Sequence, residues 1–365
     1  MSTKNFIGQD GFIWFVGVVE DRLDPKYAGR LRVRCLGYHT QNKQQLPTQD
    51  LPWAHCVLPT TSSGITGLGQ SPSFLVEGSW CVGFFRDGSF AQEPVVLGSL
   101  PGYPAELSNK AKGFYDPNGV YPKYINEPDV NRLAVNLKNA NGEESNPHLS
   151  LTLRRATRIT GVATADFDAT SAADASAMAA SDGSTWDQPA IPYAATYPKN
   201  HVYESESGHI QEFDDTPEHT RIYTAHESGT SLEMDKQGNR VAIIKGTDHT
   251  LTSIDNLVSI IGESNVSIGG RHKIYINKAG QTDNNYDIQV GPNANINVQV
   301  DKGNINLVTK GDGKINVNSS GDYNVKCGGD YTMTVAGNRN VTVNGQTIDN
   351  TTGTVQHRGS KIDLN

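Results

Sequence analysis

The run GKINVNSS GDYNVKCG GDYTMTVA GNRNVTVN GQTIDNTT G, residues 313–353, decides the fold of the C-terminal third. Its glycines, Gly313, Gly321, Gly329, Gly337, Gly345 and Gly353, recur at a strict interval of eight. An even interval preserves strand alternation across each turn, so one parity of residue faces one way throughout. Up to position 343 the odd positions are Ile315, Val317, Tyr323, Val325, Cys327, Tyr331, Met333, Val335, Val341 and Val343, broken only by Ser319 and Arg339. The even positions, such as Lys314, Asn316, Asp322, Asn324, Asp330, Thr332 and Asn340, are polar. This pattern predicts short strands with one apolar face, each reversed or bent at a glycine that tolerates positive φ.

A single stack of such strands leaves its apolar face wet and its edge amides unpaired. Three chains wound about one axis would close it as an intertwined, triple-stranded β-helix, each chain turning one apolar face inward. A single-chain β-helix is the alternative, although such solenoids use longer periods. The signal extends upstream through Val258, Ile260, Val266, Ile268, Ile274 and Ile276, breaks over 277–287, and resumes at Ile288 and Val290. From His201 to Gly246 the segments are longer and read as hairpin-like strands leading into the repeat. The repeat-bearing part is therefore expected to span 201–365.

The N-terminal hundred residues differ in kind. Residues 12–19 (FIWFVGVV), 30–34 (RLRVR), 76–85 and 94–98 read as short strands separated by Gly and Pro turns, the pattern of a small closed barrel within 1–104. Residues 105–200 read as a linker, because 163–183 is almost entirely Ala, Ser, Asp and Thr. The whole is all-β.

Composition narrows the functions. The net charge of −8 would become about −24 in a trimer, an acidic surface that repels nucleic acid and anionic lipid. Arg30, Arg32 and Arg34 alternate along one strand, yet pairing with acidic neighbours or a partner protein explains them better than nucleic-acid binding. No apolar run approaches the ~20 residues of a membrane span, and the start MSTKNFIGQD has no signal-peptide core. Cys35, Cys56, Cys81 and Cys327 show no ligand spacing and read as small buried hydrophobes. The ten histidines form no HxH, HxxxH or HExxH pattern, so neither metal nor cofactor is expected. The weak candidate is His357, three copies of which could meet on an axis. Glu127, Asp129, Glu143 and Glu144 could serve a glycosidase, but their Asn-, Gly- and Pro-rich surroundings read as solvated loops.

Certain words carry a family resemblance. Residues 14–22 (WFVGVVEDR), Asp24-Pro25, 29–34 (GRLRVR), 76–80 (VEGSW), 83–88 (GFFRDG) and 93–102 (EPVVLGSLPG) resemble the opening of the central spike proteins of contractile phage tails. Residues 131–134 (NRLA), 203–209 (YESESGH) and 213–217 (FDDTP) resemble passages flanking that family's β-prism. The valine-glycine repeat spikes of type VI secretion share this plan. The resemblance covers most of the chain outside 136–200.

It implies an oligonucleotide/oligosaccharide-binding (OB) barrel, then a trimeric spike that punctures the host outer membrane on tail contraction. Implied partners are a trimeric baseplate hub, the tail tube, and a conical tip protein of the proline-alanine-alanine-arginine type touching Ile362, Leu364 and Asn365. The implied location is the virion tail baseplate after assembly in the host cytoplasm. Some relatives carry a lysozyme domain between barrel and prism, for which this chain has no room, so a non-enzymatic role is expected. The alternatives are a type VI or tailocin-like spike, a peptidoglycan hydrolase acting through 105–200, and a receptor-binding fibre.

Overall fold

The computed structural model describes residues 12–103, 106, 128–135, 178–179, 185–186, 192–268, 270–276 and 285–362. Five strands close the N-terminal barrel: β1 (Ile13–Asp21), β2 (Leu31–Cys35), β3 (Trp53–Cys56), β4 (Trp80–Phe85) and β5 (Pro94–Ser99). Around the barrel they run β1-β2-β3-β5-β4, with β3 and β5 parallel and every other pair antiparallel. Phe15, Val19, Leu31, Val33, Cys35, Ala54, Cys81, Phe85 and Val96 fill the interior. Gly17 faces Cys35 across one ladder and Cys81 across the other. Glycine is required there, since a Cβ would sit 2.6 Å from Val33 Cγ1 and 2.9 Å from the Arg34 carbonyl oxygen.

Two details depart from the sequence expectation. The strand expected over 76–85 begins only at Trp80, because Val76–Ser79 form a turn with Gly78 at φ 92°. β3 was not expected at all, since WAHC carries little alternation.

After the barrel, a single helical turn α1 (Arg132–Val135) and a two-residue ladder between β6 (Met178–Ala179) and β7 (Thr185–Trp186) precede a second sheet. That sheet is an antiparallel meander of β8 (Asn200–Glu204), β9 (Ile210–Asp214), β10 (Arg221–Ala225), β11 (Ser231–Asp235) and β12 (Arg240–Ile243). Tight turns such as Gly208 (φ 89°) and Gly229 (φ 89°) make hairpins possible at this spacing. The expected 201–365 span is therefore not one kind of structure. The meander belongs to a compact unit of residues 1–273, and residues 274–365 form another.

In that second unit, the described residues form no strand or helix within the chain, and all of them are exposed. Bends fall at 320–321, 328–329, 336–337, 344–345 and 352–353, in step with the glycines. The octad is thus visible as the spacing of the bends, with no ladder among the described residues of this unit. The glycines themselves do not act as expected. None of Gly313, Gly321, Gly329, Gly337, Gly345 and Gly353 takes a left-handed φ, and a Cβ on Gly321, Gly329, Gly337 or Gly345 would meet open space within the chain.

Candidate functional site

Three surfaces stand out. The first is the β1–β2 edge of the barrel. Val19 pairs with Val33 and Asp21 with Arg32, so Glu20 is a bulged residue, a device that re-aims a side chain. Its carboxylate receives Arg34 Nε at 2.6 Å and Nη2 at 3.1 Å, and Thr48 Oγ1 donates to it at 2.7 Å. Arg34 also donates to the carbonyls of Thr40 and Leu46. Arg32 lies 3.5 Å from Asp21 and stacks on Trp53 at 4.4 Å. Arg30 grips Asp24 with Nε at 3.0 Å and Nη2 at 2.6 Å. The Asp24 carboxylate also accepts the backbone N–H of Lys26, Ala28 and Arg30. The Arg30 guanidinium foremost, with those amides, holds the Asp24 carboxyl well below its usual range. All three arginines are therefore paired with acidic neighbours, as read from the sequence.

The second surface is the outer wall of β1 and β4. Trp14 pairs with Phe84, Val16 with Val82 and Val18 with Trp80 on the side away from the barrel interior, Val18 and Phe84 being themselves buried. Phe12, Trp14 and Phe84 cluster with ring centroids 5.1 to 5.9 Å apart, and Trp14 is 53% exposed. Phe12, Trp14 and Trp80 thus leave an aromatic patch open on this wall.

The third comprises the meander and the octads. The meander buries the face that carries its charges. Glu212, Arg221, Tyr223 and Glu233 are covered, whereas Phe213, Ile222 and Met234 form an in-register row on the open face, 46%, 41% and 38% exposed. Arg221 lies 3.4 Å from Glu212 and 3.5 Å from Glu233, with Tyr223 4.4 Å beneath its guanidinium. Burial outweighs Arg221 and pushes the Glu212 carboxyl up to about 7. Leu133 caps this face, its carbonyl accepting from Tyr193 Oη at 2.8 Å and Asn200 Nδ2 at 3.1 Å. Barrel and meander meet where Arg22 donates to both oxygens of Glu206, at 2.7 and 2.9 Å, and where Phe74 lies edge-on to Tyr203 at 5.1 Å.

In the octads, the apolar residues of the expected axis, Ile315 through Val343, are between 46% and 70% exposed within one chain. Cys327 is exposed too, whereas Cys35 and Cys81 are buried, where desolvation pushes the Cys81 thiol up to about 12. His357 is exposed, and among the described residues no group of three His, Cys, Asp or Glu side chains could hold a metal. Ile362 is exposed; Leu364 and Asn365 lie outside the described residues, as do Glu127, Glu143 and Glu144. Asp129 serves the backbone, its Oδ2 accepting from Gly102 N at 2.6 Å.

A five-stranded barrel with aromatic residues on its outer wall, followed in sequence by an octad stripe whose apolar side chains are exposed within one chain, defines a nearly all-β protein with an OB-fold head. The family model of the Gp5 N-terminal OB domain matches residues 37–177, beginning after β2 although β1 and β2 close the observed barrel. Protein Gp5 of Vibrio phage KVP40 is 38% identical over 292 residues, which cover 74% of this chain and 66% of that protein. The pre-baseplate central spike protein Gp5 of Enterobacteria phage T4 is 42% identical over 125 residues, 33% of this chain and 21% of that protein. This chain belongs to the Gp5 family of phage-tail central spike proteins. Such a protein is a component of the virion, at the baseplate of the tail.

Proposed function

We propose that the chain works as a homotrimeric, non-enzymatic spike that pierces the host outer membrane when the tail contracts. One observation carries this reading: from Val258 to Val343 the stripe leaves its large apolar side chains exposed in a single chain, while from 320 to 353 bends recur every eight residues. Water strongly disfavours so long an apolar face, and an axial contact among copies removes it. Interchain ladders then supply the backbone partners that are absent within one chain. The octad glycines, which the chain's own φ values do not require, leave room for a neighbouring copy's backbone.

On this reading the aromatic wall of β1 and β4 seats a trimeric hub beneath the tail tube. The C-terminal residues, Ile362, Leu364 and Asn365 among them, meet a conical tip protein. A tip ion is not part of the proposal, since beyond the exposed His357 nothing in the described residues points to one. Hydrolysis is not part of it either: Asp129 is bound to backbone, and the spacing between barrel and meander leaves no length for a cleft-forming domain. Electron microscopy of the purified protein tests the assembly: a slender particle with threefold symmetry is expected, and compact single chains would end the proposal.

A further inference from the structure

The loop joining β3 to β4 is braced from within. Ser62 Oγ accepts from Gln70 N at 2.9 Å, and Ser63 N donates to the Leu68 carbonyl at 3.1 Å. Ser63 Oγ donates to the carbonyls of Ile65 and Leu68 at 3.2 and 3.3 Å. Gly64, Thr66, Gly67 and Gly69 all take left-handed φ, and Thr66 does so at a steric cost. The braced tip holds Ile65 and Leu68 out to solvent, 67% and 65% exposed. The base of the same loop already leans on the meander through Phe74 and Tyr203. Tyr203 alternates onto the open sheet face, the one that carries Phe213, Ile222 and Met234. One chain thus exposes both an apolar knob and an apolar bed, and its loop contacts only the bed's margin.

We propose that Ile65 and Leu68 of one copy seat on the Phe213–Ile222–Met234 row of a second copy. The inference rests on the trimeric reading above and adds to it a clasp between collar and sheet of neighbouring subunits. A knob meeting a different patch on the next subunit is a heterologous contact, which satisfies every copy only when it closes into a ring. Each chain offers one knob and one bed, so a threefold ring leaves neither exposed. His201 and Arg240 end the row, giving it the apolar centre and polar rim of a protein interface.

The test uses the full chain carrying Leu68→Cys and Ile222→Cys in a Cys327→Ser background, mildly oxidised and run on a denaturing gel without reductant. Covalent dimers and trimers are expected, with both single-cysteine variants remaining monomeric. If native sedimentation gives trimers while the gel gives only single chains, and Leu68→Asp leaves the melting temperature unchanged, the clasp is refuted but the spike stands. Single chains in native sedimentation refute both.

Discussion

The guanidinium of Arg34 lies 2.6 Å from the carboxylate of Glu20, and neither side chain has any solvent exposure. Removing one partner of such a pair strands the other charge, a loss of about 3–5 kcal/mol. Arg34→Met is therefore expected to destabilise the barrel by that amount, read as a lower urea midpoint with tryptophan fluorescence as the probe. Arg34→Lys should recover little, because one ammonium cannot reach Glu20, Thr40 and Leu46 together.

The interior of the barrel tolerates no added methyl at Gly83. A Cβ there would lie 2.1 Å from the Val95 carbonyl oxygen and 2.5 Å from Phe15 Cζ. Because a backbone atom must move, Gly83→Ala should cost at least the ~1–3 kcal/mol of ordinary overpacking. Gly98→Ala on β5, where nothing lies within 4 Å, should cost far less in the same assay.

Glu212 gives the meander a pH dependence of known sign. Below its ordinary value of 4.5 the carboxyl is neutral in the folded and unfolded chain alike. As pH rises from 4.5 to about 7, the unfolded chain ionises while the folded one holds its proton, so stability falls across that window. The total is about 3 kcal/mol for a shift of this size. Glu212→Gln should flatten the profile and raise stability at pH 8, measured by denaturant midpoints from pH 4 to 8.

Neighbouring octad positions separate the two faces. Val325→Asp places three carboxylates on the proposed axis, adding the cost of burying charge to the loss of a ~1.5–3 kcal/mol apolar contact per chain. The trimer is expected to dissociate in sedimentation velocity. Asn324→Asp, one residue away on the outer parity, should leave the sedimentation coefficient unchanged.

Much of this was legible in the primary structure, for physical reasons. The octads announce themselves because eight is even, and the arginine strand did so because Asp21 and Asp24 are close in the chain to Arg30 and Arg32. The meander was legible as hairpins but not as to which side is buried. Along residues 210–214 (IQEFD) alternation sets Ile210 beside Glu212 and Phe213 beside Gln211, so neither face reads as apolar. Burial there is decided by Leu133, which arrives from far along the chain, together with Tyr193 and Asn200 that bind its carbonyl. β3 was not legible because WAHC carries little alternation and because one of its two pairings, with β5, is parallel and non-local.

In the proposed spike, the even spacing of the bends also makes needle length a free variable. Gaining or losing one whole eight-residue unit preserves both facing and turn position, so every remaining octad keeps its neighbours' contacts. On that reading a duplication or deletion in that stretch changes the reach of the spike without changing its register, whereas no comparable edit is open to the barrel, whose closure fixes its strand count.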